Sequence, residues 1–249
     1  MAVRSTLRRP AFPLGWAAPL VFFLYALTLT QSRGAVLALA AGLGVFLAAR
    51  FGWRTALLLG VVLLPAGALF MAGRMTAIST GEGAAQERIQ IWSEGMMLMR
   101  EAPLFGVGKD KFAESISHVA HNSYLQCFVE LGVFGGMFFL GAFYLAVSQM
   151  FRMADRRKHT FLDPEMARLH PYLFGVVASY AVGMASLTLC YNLPTYTVLA
   201  LATVFARTAP MTPPLSATRF DLHLLGRLLA VAVVGFGVLY VFVRLFVVH

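Results

Sequence analysis

The run His121-Asn-Ser-Tyr-Leu-Gln126 sets a histidine directly ahead of a long apolar stretch. An imidazole titrates near neutral pH, so it can take a proton from an attacking hydroxyl. Asn122 or Ser123 can cap a helix starting there, and a helix amino terminus attracts anions. Asn122, Gln126 and Glu130 follow at four-residue spacing, which stacks them on one helical face. A polar stripe entering an apolar helix faces a bundle interior or a water-filled cavity rather than lipid. A histidine at such a boundary serves structure or catalysis, and its residue type alone leaves both open.

Two arginines add to the pattern. Gln86–Glu101 reads as an amphipathic helix stopped by Pro103. Ile89, Ile91, Trp92, Gly95, Met96, Leu98 and Met99 share one arc at 100° per residue. Gln86, Glu87, Gln90, Ser93, Glu94, Arg100 and Glu101 share the other, and Met97 is the misfit. Arg88 falls inside the apolar arc. It either snorkels to headgroups or meets an anionic ligand. Arg33, in the turn Gln31-Ser-Arg-Gly34, has the same two readings. Pro103-Leu-Phe-Gly-Val-Gly108 suggests a tight turn whose backbone N–H groups at Gly106 and Gly108 are open to an anion. Gly132 and Gly136 read as a small-residue helix-packing pair.

The elements that must carry these residues are membrane helices. The chain is 59% hydrophobic and 12% charged, with mean hydropathy +0.74. Soluble domains carry roughly 25% charged residues. Continuous apolar runs favour helices over barrel strands. The expected fold is an all-α integral membrane protein of about seven transmembrane helices. They are placed near Phe12–Thr30, Ala35–Ala49, Trp53–Ala72, Ser123–Phe151, Tyr172–Cys190, Pro194–Ala206 and Leu228–Val248. The whole chain, 1–249, reads as one polytopic domain. Its loop 74–120 is expected on the periplasmic side, with 74–85 irregular and the amphipathic helix following. Loops 152–171 and 207–227 are expected in the cytoplasm, and Ala209–Ala217 reads as a linker. With the amino terminus inside, 13 of the 20 Lys and Arg residues fall on the inner side, as positive-inside bias requires. This topology accounts for the formal net charge of +9 and leaves no basic face for nucleic acid. It also puts Arg33, Arg88 and His121 on one outer face. Cys127 and Cys190 fall in apolar spans and read as packing residues.

At these residues the sequence resembles the O-antigen ligase and polymerase family of bacterial envelopes. The matching pieces are Thr30-Gln-Ser-Arg-Gly34, Glu87-Arg-Ile-Gln-Ile-Trp92, Glu101-Ala-Pro-Leu-Phe-Gly-Val-Gly108, Ala120-His-Asn-Ser-Tyr-Leu-Gln126 and Glu130-Leu-Gly132. Each piece is unspecific; their order and spacing carry the resemblance, over about Phe22–Phe151. The resemblance implies a polytopic enzyme of the bacterial inner membrane, with its active site facing the periplasm. Such enzymes move a glycan from undecaprenyl diphosphate to a hydroxyl of lipid A core, another glycan or a protein. It implies that Arg33 and Arg88 bind the diphosphate and that His121 is catalytic, with Asn122, Gln126, Glu130, Gly106 and Gly108 in support. Family members usually carry several more spans ahead of the Ser-Arg-Gly turn, against one here, so the resemblance leaves the chain a fragment, a chain with a misplaced start, or a short member.

The chemistry fits independently. Displacing a lipid diphosphate from an anomeric carbon builds charge on the leaving group, which a metal or arginines must neutralise. The loop has no Asp-x-Asp pair and no ligand-spaced histidine and carboxylate set. Arginine grips phosphate bidentately and stays charged. The expectation is therefore a metal-independent, inverting transferase without cofactor, its partners being the lipid-linked donor, the acceptor and membrane lipids. The alternative is a non-catalytic transport or assembly protein sharing the domain. An ionisable stripe crossing several spans would favour that alternative, whereas here the polar residues gather at one face.

Overall fold

The computed structural model describes residues 14–30, 32–61 and 80–247. Helix makes up 76% of the structure, so helices must position the site. Among the described residues they are α1 (Leu14–Thr30), α2 (Arg33–Phe51), α3 (53–61), α4 (Thr80–Glu101), α5 (Lys111–Ile116), α6 (Ser123–Ala154), α7 (Pro164–Gly183), α8 (Leu193–Thr208) and α9 (Leu222–Phe246). Among the described residues, α2, α6 and α9 are long and apolar enough to cross a membrane, and α1 is a shorter apolar helix.

Helix α6 is the hub. Its 32 residues are lined by buried Cys127, Phe139, Phe143, Ala146, Met150 and Met153, packed against α7 and α8 through Phe174, Val177, Val198 and Ala202. α2 lies along α7 at a close crossing. A Cβ on Gly42 would stand 2.8 Å from the Gly175 carbonyl oxygen, and one on Gly175 2.9 Å from that of Gly42. Ser179 Oγ adds an interhelical bond to Ala38 O at 2.8 Å. Small residues let two backbones approach where lipid offers no hydrophobic drive for association. α4 rests on α6, with α9 against both; Ile91, Phe112, Leu125 and Val129 form the buried cluster there.

The amphipathic reading of α4 holds by position. Ile89, Ile91 and Gly95 are buried, Glu87, Gln90 and Glu94 are exposed, and the misfit Met97 is 63% exposed. The helix starts at Thr80, so the irregular segment expected through 85 is shorter than that; 74–79 lie outside the described residues. The expected span Tyr172–Cys190 is shifted. α7 begins earlier, because Asp163 Oδ1 accepts from Glu165 N at 2.9 Å and Pro164 suits a first helical position. It also ends earlier, at Gly183. Residues 184–192 form a non-helical strap instead of the end of a helix. Expected Trp53–Ala72 is helical through residue 61, beyond which it lies outside the described residues.

The two expected inner loops meet. β1 (Thr160–Phe161) pairs antiparallel with β2 (Met211–Thr212), so Ala209–Ala217 is a docked segment rather than a free linker. Arg152 fixes it further, donating to Ser216 O at 3.2 Å. Both loops flank helices that pack together, and a two-strand ladder gives their backbone groups partners.

Candidate functional site

The site grows from the start of α6. Asn122 is the N-cap, its Oδ1 accepting from Leu125 N at 3.1 Å. Ser123 ties the same turn to the strap 184–192. Its N–H donates to Met184 O at 2.7 Å, its hydroxyl to Leu187 O at 2.5 Å, and Leu189 N donates back to that hydroxyl at 2.9 Å. His121 sits between these anchors with φ +49, a left-handed conformation that non-glycine residues adopt rarely. Its N–H donates to Thr188 Oγ1 at 2.9 Å. The preceding carbonyl, Ala120 O, accepts from Trp92 Nε1 of α4 at 2.8 Å.

Arg88 lies on the same helix one turn before Trp92, and its charge reaches His121. Burial first, then Arg88, push the imidazole below the ordinary histidine range, with Glu87 opposing. A low pKa keeps the imidazole neutral, the form that accepts a proton. His118 pairs with Glu87 at 3.1 Å on the exposed side.

Arg33 stands at the first position of α2, behind the N-cap Ser32, whose Oγ accepts from Ala35 N at 3.2 Å. It is exposed. Its neighbour Gly34 abuts the strap so closely that a Cβ there would meet Ser186 Oγ at 2.3 Å. The strap thus joins the start of α2 to the start of α6. Among the described residues no hydrogen bond or ion pair links Arg33 to Arg88 or His121. Arg88 lies within electrostatic reach of His121, and the strap that Gly34 abuts also anchors the start of α6, so Arg33 adjoins in sequence a residue packed on the strap that holds His121.

Below this mouth the polar stripe turns inward. Asn122, Gln126 and Glu130 are all buried, Glu130 fully. Glu130 accepts from Gln126 Nε2 at 3.3 Å, Tyr191 Oη at 2.7 Å and Phe112 N at 3.3 Å. Cys190 Sγ donates to Gln126 Oε1 at 3.0 Å. A carboxylate is acceptor-only, so a ring of donors is what it needs away from water. The network clasps α5, α6 and the strap around one side chain. Cys127 and Cys190 are free and buried.

The glycines do a different task from the one their spacing suggests. Gly132 has φ +67 and breaks α6. The freed carbonyls of Val129 and Glu130 accept from Val107 N and Gly108 N, each at 3.0 Å; the freed N–H groups of Val133 and Phe134 donate to Pro103 O at 2.8 Å and Leu104 O at 3.2 Å. Gly106 N donates to Ala102 O at 2.9 Å. The expected anion-binding N–H groups of Gly106 and Gly108 are therefore already paired, because the kink requires them. Both glycines belong to the turn that completes the kink beneath Glu130. A Cβ on Gly106 would meet Glu130 O at 2.3 Å, and one on Gly132 would meet Leu104 O at 2.3 Å. Gly132 is thus a kink residue and not half of a helix-packing pair. Gly136 gives room to the Phe128 ring of its own helix, 2.5 Å from where a Cβ would stand.

Beside the mouth, α4, α6 and α9 enclose an apolar cleft of about 610 Å³. Trp92 and Asn122 line it with Phe128, Phe236, Leu239 and Phe242. Residue spacing pointed to α4 and α6 but missed Thr188, Ser186, Cys190 and Tyr191, and α9 as a wall. These lie far along the chain, and the one sequence signal near them is the break at Tyr191-Asn-Leu-Pro194.

Apolar helices around a polar mouth define a helical membrane protein. Residues 18–140 match the family model described as O-Antigen ligase. That is the family the sequence motifs resemble. The match contains Arg33, Arg88, His121 and Glu130 and ends before the strap. No curated protein and no solved structure matches the chain.

Proposed function

We propose that the chain transfers a glycan from an undecaprenyl-diphosphate carrier to an acceptor hydroxyl on the periplasmic face of the inner membrane. His121 takes the proton of the acceptor oxygen as that oxygen attacks the anomeric carbon. The bond from that carbon to the diphosphate breaks, and its electron pair leaves with the lipid diphosphate. A single displacement inverts the anomeric centre. Arg88 and Arg33 grip the leaving group, without a metal ion. The acceptor is a lipid A core, a glycan or a protein hydroxyl.

The observation that carries this reading is a neutral-leaning histidine beside Arg88 at the capped start of an apolar helix. Arg33 adds to it. A cation in the first turn of a helix opposes the helix dipole by about 0.3–1 kcal/mol, so its place is better explained by an anion above it than by α2. The cleft gives an apolar carrier tail a wall that begins at Trp92 and Asn122.

The test is transfer from a purified undecaprenyl-diphosphate glycan, with chelator present, by wild-type chain and His121→Ala at matched expression. Turnover by wild type alone supports the reading. Equal turnover by both removes His121 as the base, and loss in chelator restored by magnesium or manganese removes the arginine grip.

A further inference from the structure

We infer that Thr188 is a positioning residue for His121, and that the strap 184–192 is therefore part of the catalytic apparatus although it lies outside the family-matched segment. This rests on reading His121 as the base.

The control runs through the backbone. Ala120 is fixed from one side by Trp92 Nε1, and Ser123 from the other by three bonds to the strap. Between them His121 must turn through φ +49. A residue with a Cβ leaves that conformation unless its surroundings hold it there. The one hydrogen bond from its own backbone among the described residues runs to Thr188 Oγ1 at 2.9 Å. That bond sets how the peptide before His121 faces, and with it the direction of the imidazole. Thr188 itself is anchored, because its neighbours Leu187 and Leu189 both bond Ser123 Oγ. Thr195 Oγ1 donates to Leu189 O at 2.8 Å and ties the strap to the start of α8. The hydroxyl is thus held on a rigid piece of chain, as an orienting group must be.

Loss of the acceptor leaves a partly buried N–H without a partner and frees His121 to relax toward an ordinary conformation. The ring then moves relative to the groups that face it: Arg88 and Glu87 from α4, and His118 from the preceding loop. A catalytic group displaced by about 1 Å loses on the order of 10²-fold in rate.

The experiment follows the His121 imidazole by NMR in the full chain, with labelled histidine, in detergent or nanodiscs. Its resonance is assigned by its loss in His121→Ala, and the titration needs no turnover. In wild type it titrates below the ordinary histidine value. In Thr188→Val it moves upward toward that value, since release from burial and from Arg88 both raise it. Thr188→Ser, which keeps the hydroxyl, returns it. Thr188→Ala removes the acceptor without adding bulk and moves it as valine does. With an undecaprenyl-diphosphate glycan, turnover of Thr188→Val falls about 10–100-fold while donor KM holds within about twofold. An unmoved titration in both Thr188→Val and Thr188→Ala overturns the inference and leaves the base reading standing. So does serine behaving as valine does. Full turnover by His121→Ala removes the base reading itself, whatever Thr188 does.

Discussion

The two ends of α2 use arginine in opposite ways. At its carboxyl end Arg156 donates to Ala49 O at 3.2 Å and Arg50 O at 3.3 Å, while Arg152, in the last turn of α6, bonds Ser216 of the docked segment. There Arg156 meets carbonyls that α2 leaves unpaired, and the helix dipole favours it. At its amino end Arg33 faces the wrong pole, and Arg88 lies within the apolar arc of α4. Neither has a hydrogen bond or ion pair among the described residues. Meanwhile the backbone around them is tightly fastened by Asn122, Ser123, Thr188 and Trp92. Cations tied to carbonyls hold structure together. Cations left open on a rigid frame are what an anionic substrate requires.

The comparison breaks most sharply at His121. Its replacement by alanine is expected to lower glycan transfer about 10²–10⁴-fold, the usual share of a general base. Arg152→Lys in the last turn of α6 is expected to stay within about twofold, since lysine still donates to Ser216. Comparable losses in both would show that the two ends do not differ in kind.

The acid limb of transfer against pH sharpens the electrostatic part. Burial and Arg88 lower the His121 pKa. The midpoint of protonation, which disables a base, therefore lies below the ordinary value near 6.5. Arg88→Gln removes one lowering influence, so the limb moves up. A limb that stays put or moves down would separate Arg88 from His121.

The kink can be tested by stability. Gly132→Ala places a Cβ at φ +67 and 2.3 Å from Leu104 O. A destabilisation of about 2 kcal/mol or more is expected, read as a lower melting temperature in detergent. An unchanged melting temperature would mean that the segment 103–108 does not depend on the kink. The smallest expected effect is that of His118→Ala. It removes an exposed pair with Glu87 worth at most about 1 kcal/mol, and transfer should stay within about threefold.

Local features were legible in the sequence. The start of α6, its stripe, and the buried and exposed arcs of α4 with Met97 as the misfit all follow from spacing along one helix. What escaped has a common cause. Thr188 meets His121 across 67 residues, Ser123 meets Leu187 across 64, and Tyr191 meets Glu130 across 61. These are single hydroxyl and backbone bonds, which leave no periodicity behind. Glycine spacing misled for a related reason. Gly132 and Gly136 look alike in sequence, yet one bends the helix and the other makes room for Phe128. The β1–β2 ladder is two residues per strand, too short for any alternation.

The central claim is that the open arginines hold a departing diphosphate, and one conservative change tests it most directly. Arg88→Lys keeps the charge and the ability to snorkel but loses the planar two-pronged grip. Transfer is measured on membranes with matched expression, beside Arg156→Lys. Arg88→Lys is expected to lower transfer about 10²–10³-fold, and Arg156→Lys to leave it near wild type. Wild-type transfer by Arg88→Lys would make Arg88 an interfacial anchor and contradict the account.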